Sequence, residues 1–198
     1  MKEVFYEESA LMQGQSKAKA KYNLFKVMSI FSYVFCALWL YFFYICFPLS
    51  SGALSFVFAL LPAVIFFFSG FFIGKAKNKF YVEYDYTFIS GSIRFSKVIK
   101  NVKRKFITKF ECSDIEKLGK YGSQQYEKYD SMSNVESSIL TSNISPADGK
   151  DFYYIVVNKN AEKYLYVLEC TETFIINVIK FSNKAVIDEE YIKEISKR

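Results

Sequence analysis

Histidine is absent from this sequence of 198 residues, and its absence removes a large class of chemistry. Histidine is the usual general base near neutral pH, the commonest metal ligand and the activating partner of serine and cysteine nucleophiles. Glycine-rich phosphate-binding loops are absent as well, because Ser90-Gly91-Ser92 has the spacing of a turn. We therefore expect a protein that is not an enzyme and that has no metal site and no cofactor.

Cysteine is also scarce, and the four cysteines do not have metal-binding spacing. Cys36 and Cys46 lie in a long apolar segment, whereas Cys112 and Cys170 end two stretches of alternating polarity. A cysteine in such a position is usually a small buried hydrophobe. The alternative is a redox pair between Cys112 and Cys170, which a reducing cytoplasm does not favour.

Charge is missing from the middle of the chain, since residues 27–74 contain no Asp, Glu, Lys or Arg. This run of 48 residues is too long for one membrane-spanning helix, which needs about 20. Two spans fit, at 27–47 and 53–73, with the Pro48 to Gly52 segment as the turn between them. A cleaved signal peptide is the rival interpretation of the first span, but its apolar region would be shorter.

The flanking charges predict the orientation of this hairpin. Lysines precede the first span, and Lys75, Lys77 and Lys79 follow the second. The positive-inside rule then places both chain ends in the cytoplasm of a multi-pass cell-membrane protein. The predicted organisation is a cytoplasmic segment at 1–26, the hairpin at 27–74, a basic linker at 75–79 and a cytoplasmic domain at 80–198.

Small residues form stripes on both predicted spans. Gly70 and Gly74 have the spacing that lets two helices approach closely, and Ser29 and Cys36 lie on the first span. We expect these stripes to pack within one hairpin, with a homodimer through the hairpin as the alternative. Because the spans contain no ionisable Asp, Glu, Lys, Arg or His, they are typical of an anchor rather than a transporter.

Beyond residue 80 the apolar residues recur with the period of a β-strand. Alternation on both sides of Ser90-Gly91 predicts a hairpin in which Phe88 lies opposite Ile93. Further strands are predicted at 106–112, 135–140, 152–157 and 164–170, and helices at about 173–181 and 188–196. We expect the rest of 119–150 to be loop, and the C-terminal helix to cover an open end of the sheet.

Four short segments follow one another along this part of the chain: Tyr84-Asp85-Tyr86-Thr87-Phe88, Ser90-Gly91, the triplet Lys103-Arg104-Lys105 and Ser113-Asp114-Ile115. With the order of the elements, they resemble bacterial pleckstrin-homology-like (PH-like) domains beside two membrane spans. They also resemble a family of small two-span bacterial proteins that share the hairpin. The family usually has Asn-Gly at the hairpin turn, where this chain has Ser-Gly. The resemblance implies a mostly antiparallel β-barrel or sandwich capped by a C-terminal helix, and it implies no agreed activity.

The triplet Lys103, Arg104 and Lys105 is the main candidate site, as a patch that binds anionic lipid headgroups. The alternative is a solvated turn, and no nucleic-acid fold accompanies the lysines. We expect a non-enzymatic interaction module anchored in the lipid bilayer and bound to a protein partner. One alternative is an anionic-lipid sensor. The other is an accessory subunit of a membrane enzyme, with chemistry at Asp114, Glu116 or the tyrosines. However, two carboxylates separated by one residue beside a strand usually form a solvated edge or a cap.

Overall fold

A computed structural model describes residues 4–46, 53–100, 102–182 and 184–196. The chain forms two compact units: one comprises Gly14–Tyr81, and the other joins the residues up to Gln13 with those from Val82 onward. The predicted turn at Pro48 to Gly52 and the end of the first predicted span lie outside the described residues.

The unit Gly14–Tyr81 consists of two long helices. Helix α1 covers Gln15–Cys46 and helix α2 covers Ala53–Ala76, followed by a short 3-10 helix at Lys77–Lys79. Both helices are long and apolar enough to cross a membrane, by length and composition alone. Helix α1 begins 12 residues before the predicted span and includes its flanking lysines, because Ala and Lys are good helix formers.

The small residues of the two helices face each other. Ser29 Oγ donates to the Gly70 carbonyl at 2.7 Å, and Cys36 Sγ donates to the Ala63 carbonyl at 3.3 Å. A Cβ atom at Gly70 would lie 3.1 Å from the Tyr33 ring. The stripes therefore pack within the helix pair, and a homodimer through these helices would have to use other faces.

The second unit begins with a four-stranded antiparallel sheet, sheet A. Its strands are β1 (Phe5–Ala10), β2 (Val82–Ile89), β3 (Ser92–Ile99) and β4 (Lys103–Glu111), in that order. The predicted hairpin is confirmed, with Phe88 opposite Ile93. Residues 1–26 do not form one separate segment, because β1 pairs with β2 across an interval of more than 70 residues that contains both long helices.

Sheet B contains β5 (Ile115–Lys120), β6 (Val135–Ile139), β7 (Asp151–Lys159) and β8 (Glu162–Cys170), in the order β5-β7-β8-β6. All pairings in it are antiparallel except that of β6 with β8, which is parallel. The strands at 135–139, 151–159 and 162–170 were predicted. Strand β5 was not predicted, and helix α3 (Gln124–Asp130) lies in a stretch that was predicted to be loop.

The inner faces of the sheets form one core. Alternate residues of β2, β3, β7 and β8 are buried there, among them Tyr86, Phe95, Ile155 and Leu168. Helix α4 (Glu172–Phe181) packs onto this core through Phe174, Ile175 and Val178, as its helical spacing predicts. The last described element is helix α5 (Glu189–Ile195), for which Asp188 is the N-cap. On the outer face of sheet B, α3 covers β7 and β8 with Tyr126 and Tyr129.

Candidate functional site

The basic triplet lies at the start of β4, where strand geometry divides it between two faces. Side chains alternate along a strand, so Arg104 points away from the face that carries Lys103 and Lys105. The Arg104 Nε lies 3.1 Å from Asp85 Oδ2, and its guanidinium lies 4.0 Å from Glu7 Oε1. Because Asp85 is buried, Arg104 has a structural role that the sequence did not indicate.

Lys103 and Lys105 are exposed, and they lie beside other exposed residues of the turn between β3 and β4. In the sheet register, Lys105 lies opposite Lys97 and Lys103 lies opposite Ile99. The turn carries Val102, which is 82% exposed. The result is a cationic end of sheet A with an apolar residue at its tip, which we call the β3–β4 end and define as Lys97 to Lys105.

The same end of sheet A is where the chain leaves and re-enters this unit. Strand β1 ends at Ala10, which lies opposite Tyr84, and β2 begins at Val82, which lies opposite Ile99. Across the sheet, these rows lead to Lys105 and Lys103 on β4. The predicted headgroup residues therefore share one end of the sheet with both connections to the helix pair.

The lysines predicted to flank the membrane belong to the helical unit. Lys75 is in the last turn of α2, and its Nζ lies 4.4 Å from the centre of the Phe71 ring. Lys77 and Lys79 lie in the 3-10 helix, with Lys77 Nζ 5.9 Å from the centre of the Tyr22 ring. Lysine at the C-terminal end of a helix also interacts favourably with the helix dipole.

The acidic pair considered for chemistry is divided between two structural roles. Asp114 Oδ2 accepts the Glu111 backbone N–H at 2.9 Å and so caps a 3-10 turn. Glu116 Oε1 accepts from Lys163 Nζ at 2.7 Å and from the Tyr129 hydroxyl at 3.0 Å. The hydrogen bond from Lys163 is the main reason that the pKa of Glu116 is below its usual value. Each carboxylate is thus held by its own partners.

Cys112 and Cys170 are buried free thiols in the core between the sheets. Burial raises the pKa of Cys112 to about 11 and raises that of Cys170 as well, because a thiolate loses its solvation there. Their positions agree with the prediction of small buried hydrophobes.

A buried carboxylate that sequence reasoning missed organises the segment after β6. Glu169 has no exposed surface and accepts hydrogen bonds from Thr141 Oγ1 at 2.5 Å and from Asn143 Nδ2 at 2.7 Å. The Ala147 backbone N–H donates to it at 3.0 Å. The signal in the sequence was Glu169 within the otherwise apolar run from Tyr164 to Cys170.

The shallow cavities of this unit include two that adjoin β6. One, of about 350 Å³, lies between the edges of β4 and β6 and is lined by Thr108, Ser138 and Tyr164, among others. The other, of about 190 Å³, lies on the outer face of sheet B beside Ile139, Ile144 and Phe152. In the part of the chain that the structure describes, no three Cys, Asp or Glu side chains are grouped so as to hold a metal ion.

Two sheets packed on one core with a helix at the C-terminal end form the architecture of a PH-like domain. The sequence profile of a family described as bacterial PH-like domain, DUF6106, matches residues 3–188. The chain belongs to the DUF6106 family. No curated protein and no solved structure shows significant similarity to the chain.

The DUF6106 match includes the two long helices as well as both sheets. The helix pair is therefore part of the region that the family shares, inserted between the first two strands of its PH-like domain. The predicted relationship to bacterial PH-like proteins is confirmed.

Proposed function

We propose that this DUF6106 protein is a membrane-anchored, non-enzymatic interaction module that presents its PH-like domain at the cytoplasmic face of the cell membrane. The observation that carries the proposal is the position of the helix pair between β1 and β2. These strands pair with each other, so both must lie on the same side of a bilayer. A pair of spanning helices returns the chain to the side from which it left, as this pairing requires.

The charges support the cytoplasmic orientation. Lysines precede the apolar part of α1, and Lys75, Lys77 and Lys79 end or follow α2. The positive-inside rule assigns both of these flanks to the cytoplasm. The connections are short, with four residues between Ala10 and Gln15. The domain would thus be tethered twice, through residues 11–26 before the first predicted span and residues 74–81 after the second.

The non-enzymatic part of the proposal rests on the roles of the polar side chains. Among the described residues, Asp114 caps a turn, Glu116 binds Lys163, and Glu169 binds a loop. These groups stabilise the fold through internal hydrogen bonds. A domain of this kind acts by binding, and we propose a protein partner for it.

Membrane fractionation and co-purification test the proposal. The full chain should remain in the membrane pellet after an alkaline carbonate wash, whereas a variant in which a short Gly/Ser linker replaces Gly14–Tyr81 should be soluble. Proteins that co-purify with the full chain should be lost when only Gly14–Tyr81 is expressed. Recovery of the full chain in the wash, or of the same partners with Gly14–Tyr81 alone, would contradict the proposal.

The β3–β4 end supports a second candidate function, contact with anionic lipid. Lys97, Lys103 and Lys105 share an end of sheet A with both connections to the helix pair. Near a membrane, each such charge contributes about 1 kcal/mol of attraction to anionic lipid. Val102, exposed at the tip, would enter the headgroup region. Arg104 would contribute less, because Asp85 and Glu7 neutralise it.

An environment-sensitive dye on Val102→Cys, in a Cys36→Ser and Cys46→Ser background, tests lipid contact in the full chain. In nanodiscs that contain anionic lipid, its emission should shift to the blue relative to zwitterionic nanodiscs. Lys103→Gln with Lys105→Gln should remove the shift, whereas Lys128→Gln on α3 should leave it unchanged. The same emission in both kinds of nanodisc would remove this second candidate.

A further inference from the structure

The two sheets of the PH-like domain end in four edge strands, and three of these edges are protected. The edge of β5 is covered by the segment before α5, where Asp188 N donates to the Leu118 carbonyl at 2.8 Å and Ile187 forms a parallel bridge with Leu118. Strand β4 carries four basic residues, and β1 carries the exposed Glu7 and the inward-pointing Glu8, which pairs with Lys150. Charged side chains on an edge deter pairing with another chain.

Strand β6 is the fourth edge, and it has neither a cover nor a row of charges. Its sequence is Val135-Glu136-Ser137-Ser138-Ile139, and β8 is its partner on one side. The Leu140 N–H donates to the Val167 carbonyl at 2.8 Å, which fixes the direction of the alternating backbone groups. Glu136 and Ser138 therefore direct their backbone groups toward β8, and Val135, Ser137 and Ile139 direct theirs outward.

Nearly all of the backbone groups that β6 directs outward are available for hydrogen bonds to another strand. The Val135 N–H already donates to the Met132 carbonyl at 3.2 Å, so Val135 offers only its carbonyl. Within the described residues, both backbone groups of Ser137 and of Ile139 have no partner strand on this side. Glu136, Ser137 and Ile139 are exposed, which leaves room for another strand.

We propose that β6 is a self-association edge, through which two copies of this protein pair antiparallel with Ser137 of each copy at the two-fold axis. In this register Ser137 lies opposite Ser137, and Ile139 lies opposite Val135 of the second copy. Four backbone hydrogen bonds form: two between the Ser137 residues, and one from each Ile139 N–H to the opposite Val135 carbonyl. The two B sheets become one continuous sheet of eight strands.

The charges disfavour one neighbouring register. A shift toward Glu136 would place the two Glu136 carboxylates directly opposite each other, which is destabilising. In the proposed register, Glu136 lies opposite Ser138 of the second copy, whose hydroxyl can donate to the carboxylate. The edge is thus complementary to itself, as a two-fold interface requires.

Apolar surface beside the edge supports a strand as the occupant. Ile139 is 59% exposed and Ile144 is fully exposed, and both line the cavity of about 190 Å³ on the outer face of sheet B. Antiparallel pairing would bring Val135 of the second copy against Ile139, since directly opposite side chains lie about 5 Å apart. A five-residue pairing buries little area, so the dimer should depend on concentration, and copies confined to one membrane would gain from proximity.

Disulfide trapping of the full chain in membranes tests the register, in a background with Cys36→Ser and Cys46→Ser. Cys112 and Cys170 stay, because they are buried. Ser137→Cys should form a disulfide dimer under mild oxidation, because hydrogen-bonded antiparallel partners have Cα atoms about 5.5 Å apart, within disulfide range. Glu136→Cys alone is the matched control and should remain monomeric, since its copies lie about 7–8 Å apart on the diagonal.

Mixing two cysteine variants gives an independent measurement of the β6–β6 pairing. Glu136→Cys and Ser138→Cys proteins, each monomeric alone, should form a mixed dimer when they share a membrane. Separately, Ser137→Lys and Ser137→Glu should each abolish the concentration-dependent dimer of the full chain in detergent, and their mixture should restore it.

Each outcome of these experiments either supports or contradicts the β6 dimer. Trapping of Ser137→Cys above the Glu136→Cys control, together with charge-swap rescue, supports the β6 dimer. Equal trapping at both positions, or a dimer that persists in Ser137→Lys, would mean that copies meet through another surface and would overturn the inference. A chain that remains monomeric at every concentration and binds a different protein at β6 would overturn the inference as well. The inference rests on sheet geometry, so it can fail while the proposed membrane anchoring stands.

Discussion

Among the buried carboxylates of the PH-like domain, Glu8, Glu169 and Asp188 are each stabilised by a different kind of partner. Glu8 meets a cation, with Lys150 Nζ at 3.0 Å, and also accepts from the Thr171 backbone N–H. Glu169 accepts only from neutral donors, and Asp188 accepts from the hydroxyls of Ser123 and Tyr154. Each of these carboxylates connects segments that are far apart in the chain, so the three stabilise the tertiary structure.

Glu169→Gln should destabilise the domain. An amide retains one acceptor oxygen but places an NH₂ group either where Thr141 and Asn143 donate or where Asn143 and Ala147 donate. We expect the free energy of unfolding to fall by about 2 kcal/mol, the usual effect of losing hydrogen bonds to a buried charge. Chemical denaturation in detergent, followed by circular dichroism, measures this. Glu127→Gln on the exposed face of α3 is the control, and equal midpoints for the two variants would contradict the prediction.

The buried thiols should resist alkylation in the folded protein. A pKa of about 11 for Cys112 leaves about a hundredfold less thiolate at pH 8 than the ordinary value of 9.0 would. Maleimide should therefore modify Cys112 and Cys170 only after denaturation, and their reaction should remain slow up to pH 9. Mass spectrometry of labelled peptides gives the rates. Rapid labelling at pH 8 would show that the core opens there, and would revive the redox alternative.

At the scale of elements, the alternation of apolar and polar residues predicted the regular strands, but it did not predict β1, β5 or α3. Strand β1 was hidden because Glu8 points inward between Tyr6 and Ala10, and its partner Lys150 lies 142 positions along the chain. Helix α3 was hidden because seven polar and tyrosine residues show little periodicity, although Ser123 is an N-cap that accepts the Tyr126 N–H. The candidate site was predicted by residue type, but only the side-chain geometry of the structure shows that Arg104 binds Asp85.

The contact of α1 with α2 provides an element-scale prediction. A Cβ at Gly70 would lie 3.1 Å from Tyr33 and 3.3 Å from the Ser29 carbonyl, so Gly70→Leu must push the helices apart. We expect a loss of about 1–3 kcal/mol, as for other overpacked contacts, and a lower melting temperature in detergent. Phe72→Leu, at a position that is 63% exposed, is the control. An unchanged melting temperature for Gly70→Leu would mean that the helices do not pack through Gly70.

At the scale of the whole molecule, the helix pair is an insertion into a domain that is complete without it. The last residue of β1, Ala10, lies opposite Tyr84 of β2, so the two ends of the insertion leave the domain at neighbouring positions. A bacterial PH-like domain of this kind can thus accommodate two long helices between two paired strands without disturbing its core. The cost is that pairing of β1 with β2 closes a loop that includes both helices, and the entropy cost of closure rises with loop length.

This arrangement predicts which soluble version of the domain will fold. Replacing Gly14–Tyr81 by about six Gly/Ser residues should give a stable monomer or β6 dimer, because the linker has to join only neighbouring strand ends. A fragment that begins at Phe80 should be much less stable, because it lacks β1 and therefore the burial of Ala10 and the carboxylate of Glu8. Lys150, whose side chain is 17% exposed, would then lose its carboxylate partner. Removing one partner of a buried ion pair costs about 3–5 kcal/mol.

Urea denaturation of the two proteins, followed by circular dichroism, measures the difference. Adding Glu8→Gln to the linker version isolates the ion pair from the loss of the strand, and it should account for only part of the difference. Equal stability of the linker version and the fragment would mean that β1 adds nothing to the fold. The double tether would then be reduced to a single connection at Val82, because the segment before α1 would no longer be held to the domain.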